Sequence, residues 1–568
     1  MPVAQTPAVC TIFQSDEIKK RILGRINFAE LIQLQQTSKQ FGMFVEDEIW
    51  RTVDEKHYAL KNFEKLAEKN ARKIEVLTLD GNFKHFSKEF VEIMFQKMEK
   101  LESIIIKNFY DAKKFNHIIE SLSAQPDSKL KKIEINYVNN KQEYEKTQLS
   151  ISKLSQLKNL KNFSIADTHV EQKEITLMIK KLESPNIEEL TIISGSYIEK
   201  ELYQIIQNKY SKSLKILELR KVSQETMEDF EKLVKSLINL EKLYLSEMVT
   251  SFGTQILSSV LPSDLKKLNT LQINRHRYKN QFNMFLNHNW SSIKILVLNG
   301  CVLSQETSDI ISTQFQSVDV LDLVELESRP EDYKTILESI GHNLKVLQLV
   351  APRFAISEAW PQKIIFNKLK KISIIGTDLN PVIISSIFEK NNILEELTLE
   401  SLFLNNPEKL LKQLESLKAQ KQIDSSCLKK IELFNIPWLT GKNLRQIIDS
   451  LNINIKNIYI EECDITTEEI RILSEAFPLI NLSLEIKQFD EYASNEDEDT
   501  FDYSQMDQNK LNMYDGNQDY QKPTGGWQNN MDFNNAYPIK NNENKRNGYD
   551  CSKEADDGYF SDPVNDVD

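Results

Sequence analysis

The chain has 568 residues, with 71 Lys and Arg against 84 Asp and Glu, so the formal net charge is −13 and the pI is about 5.4. This acidity argues against nucleic-acid binding, which needs a concentrated basic patch, and the 14 Gly and 15 Pro exclude collagen-like and Gly/Pro low-complexity classes. Five widely spaced cysteines, no signal-like start and no long apolar stretch predict a cytoplasmic or nuclear protein with no membrane contact.

We predict a flexible N-terminus at residues 1–11. Residues 12–53 then have the apolar spacing of three short helices. Ser15 is a favourable N-cap, and Asp16 and Glu17 are favourable in a first helical turn. The apolar residues at helical spacing are Ile18, Ile22, Leu23, Leu31, Leu34, Phe41 and Trp50. In identity and order they resemble an F-box, the motif that docks on the small adaptor subunit of SCF-type cullin–RING ubiquitin ligases. One departure is at the start, where Gln14-Ser15 replaces the usual Leu-Pro.

The resemblance implies that these seven residues form an adaptor-binding segment. It favours Ile22, Leu23 and Leu34 for direct contact, while the others pack the three-helix core. The spacing alone would fit equally well a helical cap whose only role is to shield the first unit of the repeat array described below. Residues 54–73 have a helical pattern and predict a rigid joint to that repeat.

The pattern apolar-x-x-apolar-x-apolar then recurs sixteen times within residues 74–487. Its first positions run from Ile74 to Leu479, which is 405 residues over fifteen intervals, a mean period of 27. In each copy the pattern predicts a short strand, followed by a helix. Ser304 is one predicted N-cap, and Thr466 with Glu469 has the spacing of a capping box. Because neither element can cover its own apolar face, the copies must stack.

This repeat resembles the leucine-rich-repeat family in its longer, ribonuclease-inhibitor or cysteine-containing form. Cys301 and Cys463 fall at the ninth position of their copies, where that family places Cys or Asn. The resemblance implies an α/β horseshoe solenoid of about 16 repeats, with a concave parallel sheet and outer helices. At about 4.8 Å per strand, the concave surface is on the order of 70 Å long, a size that suits a protein partner.

The third, fifth and seventh positions of each copy are expected to face the concave side. Most copies place polar or mixed residues there, as in Lys242, Tyr244 and Ser246. Four consecutive copies instead supply Ile295, Val297, Val320, Val324, Val346, Val350 and Ile375. We interpret these seven as a candidate substrate-binding patch. The alternatives are that β-branched residues simply favour strands, or that a loop or the tail covers them.

The sequence carries no motif for catalysis or cofactor binding. Its seven histidines lie at no metal-ligand spacing, and neither a P-loop nor a GxGxxG occurs. Cys301 and Cys463 fall at structural repeat positions, and no loop singles out an Arg as in activators of small GTPases. We therefore predict a chain that is not an enzyme and uses no cofactor and no metal.

Residues 488–568 have the composition of a disordered tail. They contain four Leu, Ile or Val but thirteen Asn, and 19 Asp and Glu against 6 Lys and Arg. Subtraction from the totals leaves 65 residues of each sign in residues 1–487, so the net charge belongs to the tail. Its aromatic residues are either docking motifs or part of a segment that only aids solubility.

Together these features predict a non-catalytic substrate-recognition subunit of an SCF-type ubiquitin ligase. Its partners would be the adaptor and cullin complex at the F-box-like segment, and a protein substrate on the concave face. The alternative is a leucine-rich-repeat scaffold or inhibitor unrelated to ubiquitin, in which the N-terminal helices only cap the solenoid.

Overall fold

The structure is a computed structural model that describes residues 45–485 with internal gaps. The gaps are 47, 55–56, 58–62, 82–87, 110, 125–128, 137–150, 169, 249–254, 276–280, 353–355, 361–365, 378–382, 384–386, 388–392, 402–406, 420–426 and 452–453. Most of the predicted three-helix segment and the whole predicted tail therefore lie outside the described residues. So do six of the seven predicted adaptor-binding residues: Ile18, Ile22, Leu23, Leu31, Leu34 and Phe41.

Seventeen strands form one parallel sheet, in which each strand pairs with the next along the chain. They are β1 Thr52–Val53, β2 Val76–Asp80, β3 Ser103–Lys107, β4 Lys132–Asn136, β5 Asn162–Thr168, β6 Glu189–Ser194, β7 Ile216–Arg220, β8 Lys242–Ser246, β9 Thr270–Asn274, β10 Ile295–Asn299, β11 Val320–Val324, β12 Val346–Val350, β13 Lys371–Ile375, β14 Glu396–Glu400, β15 Lys430–Phe434, β16 Asn457–Glu461 and β17 Asn481–Glu485. The strands β2 to β17 coincide with the sixteen predicted repeats. The first strand, β1, lies at the end of the segment assigned to the F-box-like domain.

Helices lie between most of the strands. They are α1 Phe63–Asn70, α2 Lys88–Lys97, α3 Ala112–Ser123, α4 Gln172–Lys181, α5 Lys200–Tyr210, α6 Met227–Ser236, α7 Asn283–Leu286, α8 Gln305–Gln314, α9 Pro330–Ile340, α10 Ile356–Ala359, α11 Pro407–Ala419, α12 Gly441–Leu451 and α13 Thr467–Ala476. Short 3-10 helices span Ala71–Lys73, Ser152–Gln156, Gln224–Thr226 and Gly341–Asn343. Within the described part of the chain, none of these helices has the length and apolar character needed to cross a bilayer.

The core is one continuous layer between the sheet and the helices. In β10, Leu296 and Leu298 point into this layer and are buried, whereas Ile295 and Val297 alternate with them and stay partly exposed. The predicted helix starts are confirmed. Ser304 Oγ accepts a hydrogen bond from the Thr307 amide at 3.2 Å, and Thr466 with Glu469 forms a capping box.

A left-handed residue follows most strands, and the sequence pattern did not predict it. Positive φ occurs directly after eleven strands, at Asn108, Lys221, Glu247, Arg275, Gly300, Glu325, Ala351, Gly376, Ser401, Asn435 and Glu462. Its amide donates to the last carbonyl of the next strand, as from Gly300 to Val324 at 2.8 Å. This recurring turn ends the strand and directs the chain away from the sheet at the same point of these repeats. Only glycine adopts it without a steric cost.

Gly300→Ala should therefore lower the free energy of unfolding by about 1–2 kcal/mol. The φ of Gly300 is +60°, and an added Cβ would lie 3.3 Å from Cγ of Arg275. Gly195→Ala is the matched control, because an added Cβ there meets nothing within 4 Å. Urea unfolding of both variants checks this expectation, and equal midpoints would contradict it.

Candidate functional site

The parallel register arranges the concave side chains of β10 to β13 in three rows. The first row contains Ile295, Val320, Val346 and Lys371, the middle row Val297, Asp322, Gln348 and Ser373, and the third row Asn299, Val324, Val350 and Ile375. Each residue lies directly beside the next in its row, about 4.8 Å away across the sheet. The structure thus brings all seven predicted aliphatic residues onto one surface, which we call the concave patch.

The aliphatic residues of the concave patch lie mainly in its two outer rows. Ile295, Val320 and Val346 are adjacent in the first row, and Val324, Val350 and Ile375 are adjacent in the third. All are partly exposed except Val324, which is 8% exposed. Only Val297 belongs to the middle row. Two aliphatic strips therefore run across the sheet on either side of a different set of residues.

Three of the four residues in the middle row of the concave patch are polar, and they are absent from the predicted site. Asp322, Gln348 and Ser373 stand side by side there, and we call them the polar row. Ser373 is 2% exposed, and its Oγ has no hydrogen-bond partner among the described residues. The signal was available in the sequence, because the rule that selected Val320 and Val324 also places Asp322 between them on the same face.

Burial raises the pKa of Asp322 to about 6, and the charge of Lys371 offsets this only in part. The Lys371 ammonium is itself paired, since its Nζ lies 3.1 Å from Oε2 of Glu396. Asp322 has no ion pair or hydrogen bond among the described residues. The concave patch therefore contains a half-buried carboxylate that lacks a close cation.

Charged residues border the concave patch on both sides. Toward the N-terminus, Glu247 contacts Arg220 at 2.6 Å and Arg275 at 3.3 Å; burial alone would raise its pKa, but the two guanidinium groups hold it below the usual value. Toward the C-terminus, burial raises the pKa of Glu400, and the charges of Glu461 and Glu462 raise it further. The aliphatic residues of the concave patch thus lie between charged groups on both sides.

At the other end of the sheet, Trp50 is the one predicted adaptor-binding residue that the structure describes. It is 4% exposed, and its ring centroid lies 6.4 Å from that of Phe63 and 5.4 Å from that of His57. His57 Nε2 donates to the Ile49 carbonyl at 2.6 Å, and Val53 of β1 pairs with Leu77 of β2. Trp50 therefore belongs to a junction between the N-terminal segment and the first repeat, and its role toward an adaptor stays a prediction.

The two thiols at the ninth repeat position, Cys301 and Cys463, have the surroundings of structural groups. Cys301 is buried, and its Sγ lies 3.2 Å from the carbonyl oxygen of Ile273. Burial raises the pKa of Cys463 to about 11, so its reactive thiolate is scarce near neutral pH. Across the described ranges, no three His, Cys, Asp or Glu residues are grouped so as to hold a metal ion.

Seventeen parallel strands in chain order, with helices on the opposite side of a shared core, decide the fold. It is a leucine-rich-repeat solenoid. No family model matches the sequence, and no curated protein matches it.

Two solved structures are similar over most of the chain. A leucine-rich-repeat protein of Leptospira interrogans has 17% sequence identity and a TM-score of 0.32, covering 73% of this chain and 97% of that chain. A chain from the complex of Rad7 and Elc1 in yeast has 12% identity and a TM-score of 0.36, covering 71% of this chain and 98% of that chain.

Proposed function

We propose that this repeat protein is a non-catalytic substrate-recognition subunit of an SCF-type ubiquitin ligase. Its F-box-like segment at residues 12–53 binds the adaptor and, through it, the cullin complex. The concave patch binds the protein that is to be ubiquitinated. The observation that carries the proposal is the continuity between the end of that segment and the sheet: Thr52–Val53 of β1 pairs with β2.

The junction supports this function because it makes the end of the F-box-like segment part of the solenoid core. Val45, Ile49, Trp50 and Val53 are buried in the same apolar cluster as the repeats. A receptor with a stiff joint keeps its substrate at a high effective concentration near the ligase, whereas a flexible joint would dilute it. In the alternative function, the N-terminal segment only shields β2 and binds no other protein.

The concave patch supports the second half of the proposal. Six aliphatic side chains form two strips on either side of the middle row, whereas an ordinary surface has only scattered apolar residues, and such a concentration marks an interaction site. The same patch would equally serve a scaffold or inhibitor unrelated to ubiquitin, which is the alternative function. The two functions differ only in whether the N-terminal segment binds an adaptor.

Affinity purification of the full chain tests the ligase function. We expect the wild type to recover the adaptor and cullin, and Ile22→Lys/Leu23→Lys to lose both, because two buried charges disrupt an apolar contact. Val320→Glu/Val346→Glu is the matched control, because it changes two apolar residues on β11 and β12, far along the chain from residues 12–53, and should keep the adaptor while losing the substrate.

Failure of the wild type to recover adaptor and cullin would refute the ligase function. Recovery of a protein partner that depends on Val320 and Val346 would then favour the scaffold function. Circular dichroism spectra that match the wild type would show that the double variants still fold.

A further inference from the structure

The polar row adds a carboxylate and two hydrogen-bonding side chains to the concave patch, which an aliphatic surface alone would lack. Asp322 lies between Val320 and Val324 along β11, and between Val297 and Gln348 across the sheet. Three of its four nearest concave neighbours are therefore valines. A carboxylate in such surroundings has lost part of its hydration, which disfavours its charged form.

No group of the described chain compensates that charge at close range. Lys371 is the nearby cation, but it stands two strands away in the first row and pairs with Glu396. Ser373, two positions along the same polar row, has a buried Oγ without a hydrogen-bond partner in the described chain. Two polar groups in one row thus lack the partners that buried polar groups normally have.

We propose that the concave patch binds a protein segment in which a lysine or arginine is flanked by aliphatic residues, and that Asp322 pairs with this cation. The inference deepens the proposed function, because it takes the occupant of the concave patch to be a protein substrate and names the residues that the substrate must present.

Charge complementarity selects this partner over a purely aliphatic one. An uncharged segment laid across the patch would bury the Asp322 carboxylate without a partner, which is costly. A lysine or arginine satisfies the carboxylate, and its aliphatic stem can lie on the neighbouring valines. The flanking aliphatic side chains of the same segment then contact the two outer rows. The outer rows thus provide most of the buried apolar area, and Asp322 provides the specificity for a basic residue.

Other ligand classes fit the same surface less well. A phosphate backbone would be repelled by Asp322, and the patch offers no basic residue that is free to replace that contact, since Lys371 is paired. A single carboxylate among valines also lacks the several oxygen ligands that a divalent cation needs.

A phage-displayed library of random peptides, selected on the immobilised full chain, tests this inference. The wild type should enrich peptides with Lys or Arg between aliphatic residues. Asp322→Lys should lose these peptides and enrich Asp or Glu at the same place, and an enriched wild-type peptide should bind Asp322→Lys at least about tenfold more weakly. Asp322→Asn, which keeps the side-chain shape, should weaken the preference for basic residues without reversing it.

Glu338→Lys is the matched control, because Glu338 is an exposed acid on α9 outside the concave face. It should select the same peptides as the wild type. The inference is overturned if wild type and Asp322→Lys enrich the same sequences, or if the enriched peptides bind Val320→Asn/Val346→Asn, which removes aliphatic contacts without adding charge, as well as they bind the wild type. The ligase function is judged separately by adaptor recovery, which Asp322→Lys should leave unchanged.

Discussion

Trp50→Ala should lower the free energy of unfolding of the first repeats by about 3–5 kcal/mol, the loss expected when a large buried aromatic side chain is truncated. Trp50 is buried, and its ring packs against those of Phe63 and His57. Removing the indole leaves a cavity between the N-terminal segment and α1. It also removes the ring that packs against His57, whose Nε2 donates a hydrogen bond to the Ile49 carbonyl.

The loss should be local, because each repeat of a solenoid contacts mainly its neighbours. Hydrogen exchange should therefore show faster opening of β1 to β3, with β10 to β13 unchanged. Trp50→Phe should restore most of the protection because it keeps an aromatic ring in the junction. Tyr197→Ala, which truncates a side chain that is 55% exposed, is the control and should change protection little.

The experiment also separates two roles for Trp50. If the residue acts only at the junction, Trp50→Phe recovers adaptor as well as the wild type does. If Trp50 contacts the adaptor directly, Trp50→Phe loses adaptor while the exchange of β1 to β3 stays near normal. Unchanged exchange in Trp50→Ala would contradict the structural role.

The repeat fold could be predicted from the sequence because its signals are local. The alternation around Leu296 and Leu298, the N-cap at Ser304 and the capping box at Thr466 each depend on residues a few positions apart. The left-handed turn could not be predicted, since Glu325 and Ala351 adopt it at a steric cost where Gly300 adopts it freely, so no single residue type marks its position. Its cause is a hydrogen bond to the next strand, about one repeat away in sequence.

The position of the concave patch could be predicted from the sequence, but the prediction of its residues was incomplete. The seventh-position residues Val324, Val350 and Ile375 are aligned as the repeat period requires. The significance of Asp322 depends on neighbours from β10 and β12, which lie about one repeat before and after it. Whether an Asp on the face of a strand is hydrated or surrounded by valines is a tertiary property. The aliphatic residues therefore mark the two outer rows and Val297, whereas the polar row depends on the packing of neighbouring strands.

Asp322→Asn should raise the free energy of unfolding near neutral pH by about 1–3 kcal/mol, and should have little effect in acid. The pKa of Asp322 is about 6 in the folded chain against an ordinary value of 3.8, because burial disfavours the charged form. Between these two values the folded state binds more protons than the unfolded state does. Wild-type stability therefore falls as the pH rises through this window, and the Asn variant lacks this fall.

Urea unfolding of wild type and variant from about pH 4 to about pH 7.5 measures the effect. The two curves should diverge as the pH rises and reach a constant separation above about pH 7. Asp319→Asn is the control; Asp319 pairs with Lys345 at 3.0 Å, so its loss should cost no more than about 1 kcal/mol and bring no gain.

Parallel curves for wild type and Asp322→Asn would show that the carboxylate is well hydrated, and the charge-based specificity of the concave patch would lose its basis. Divergent curves would mean that the free chain holds an ionised carboxylate at a cost in stability. A bound lysine or arginine would remove that cost, because an opposite charge favours the ionised form. Partner binding should then weaken as the pH falls through 6, since protonation of Asp322 removes the charge that the cation requires.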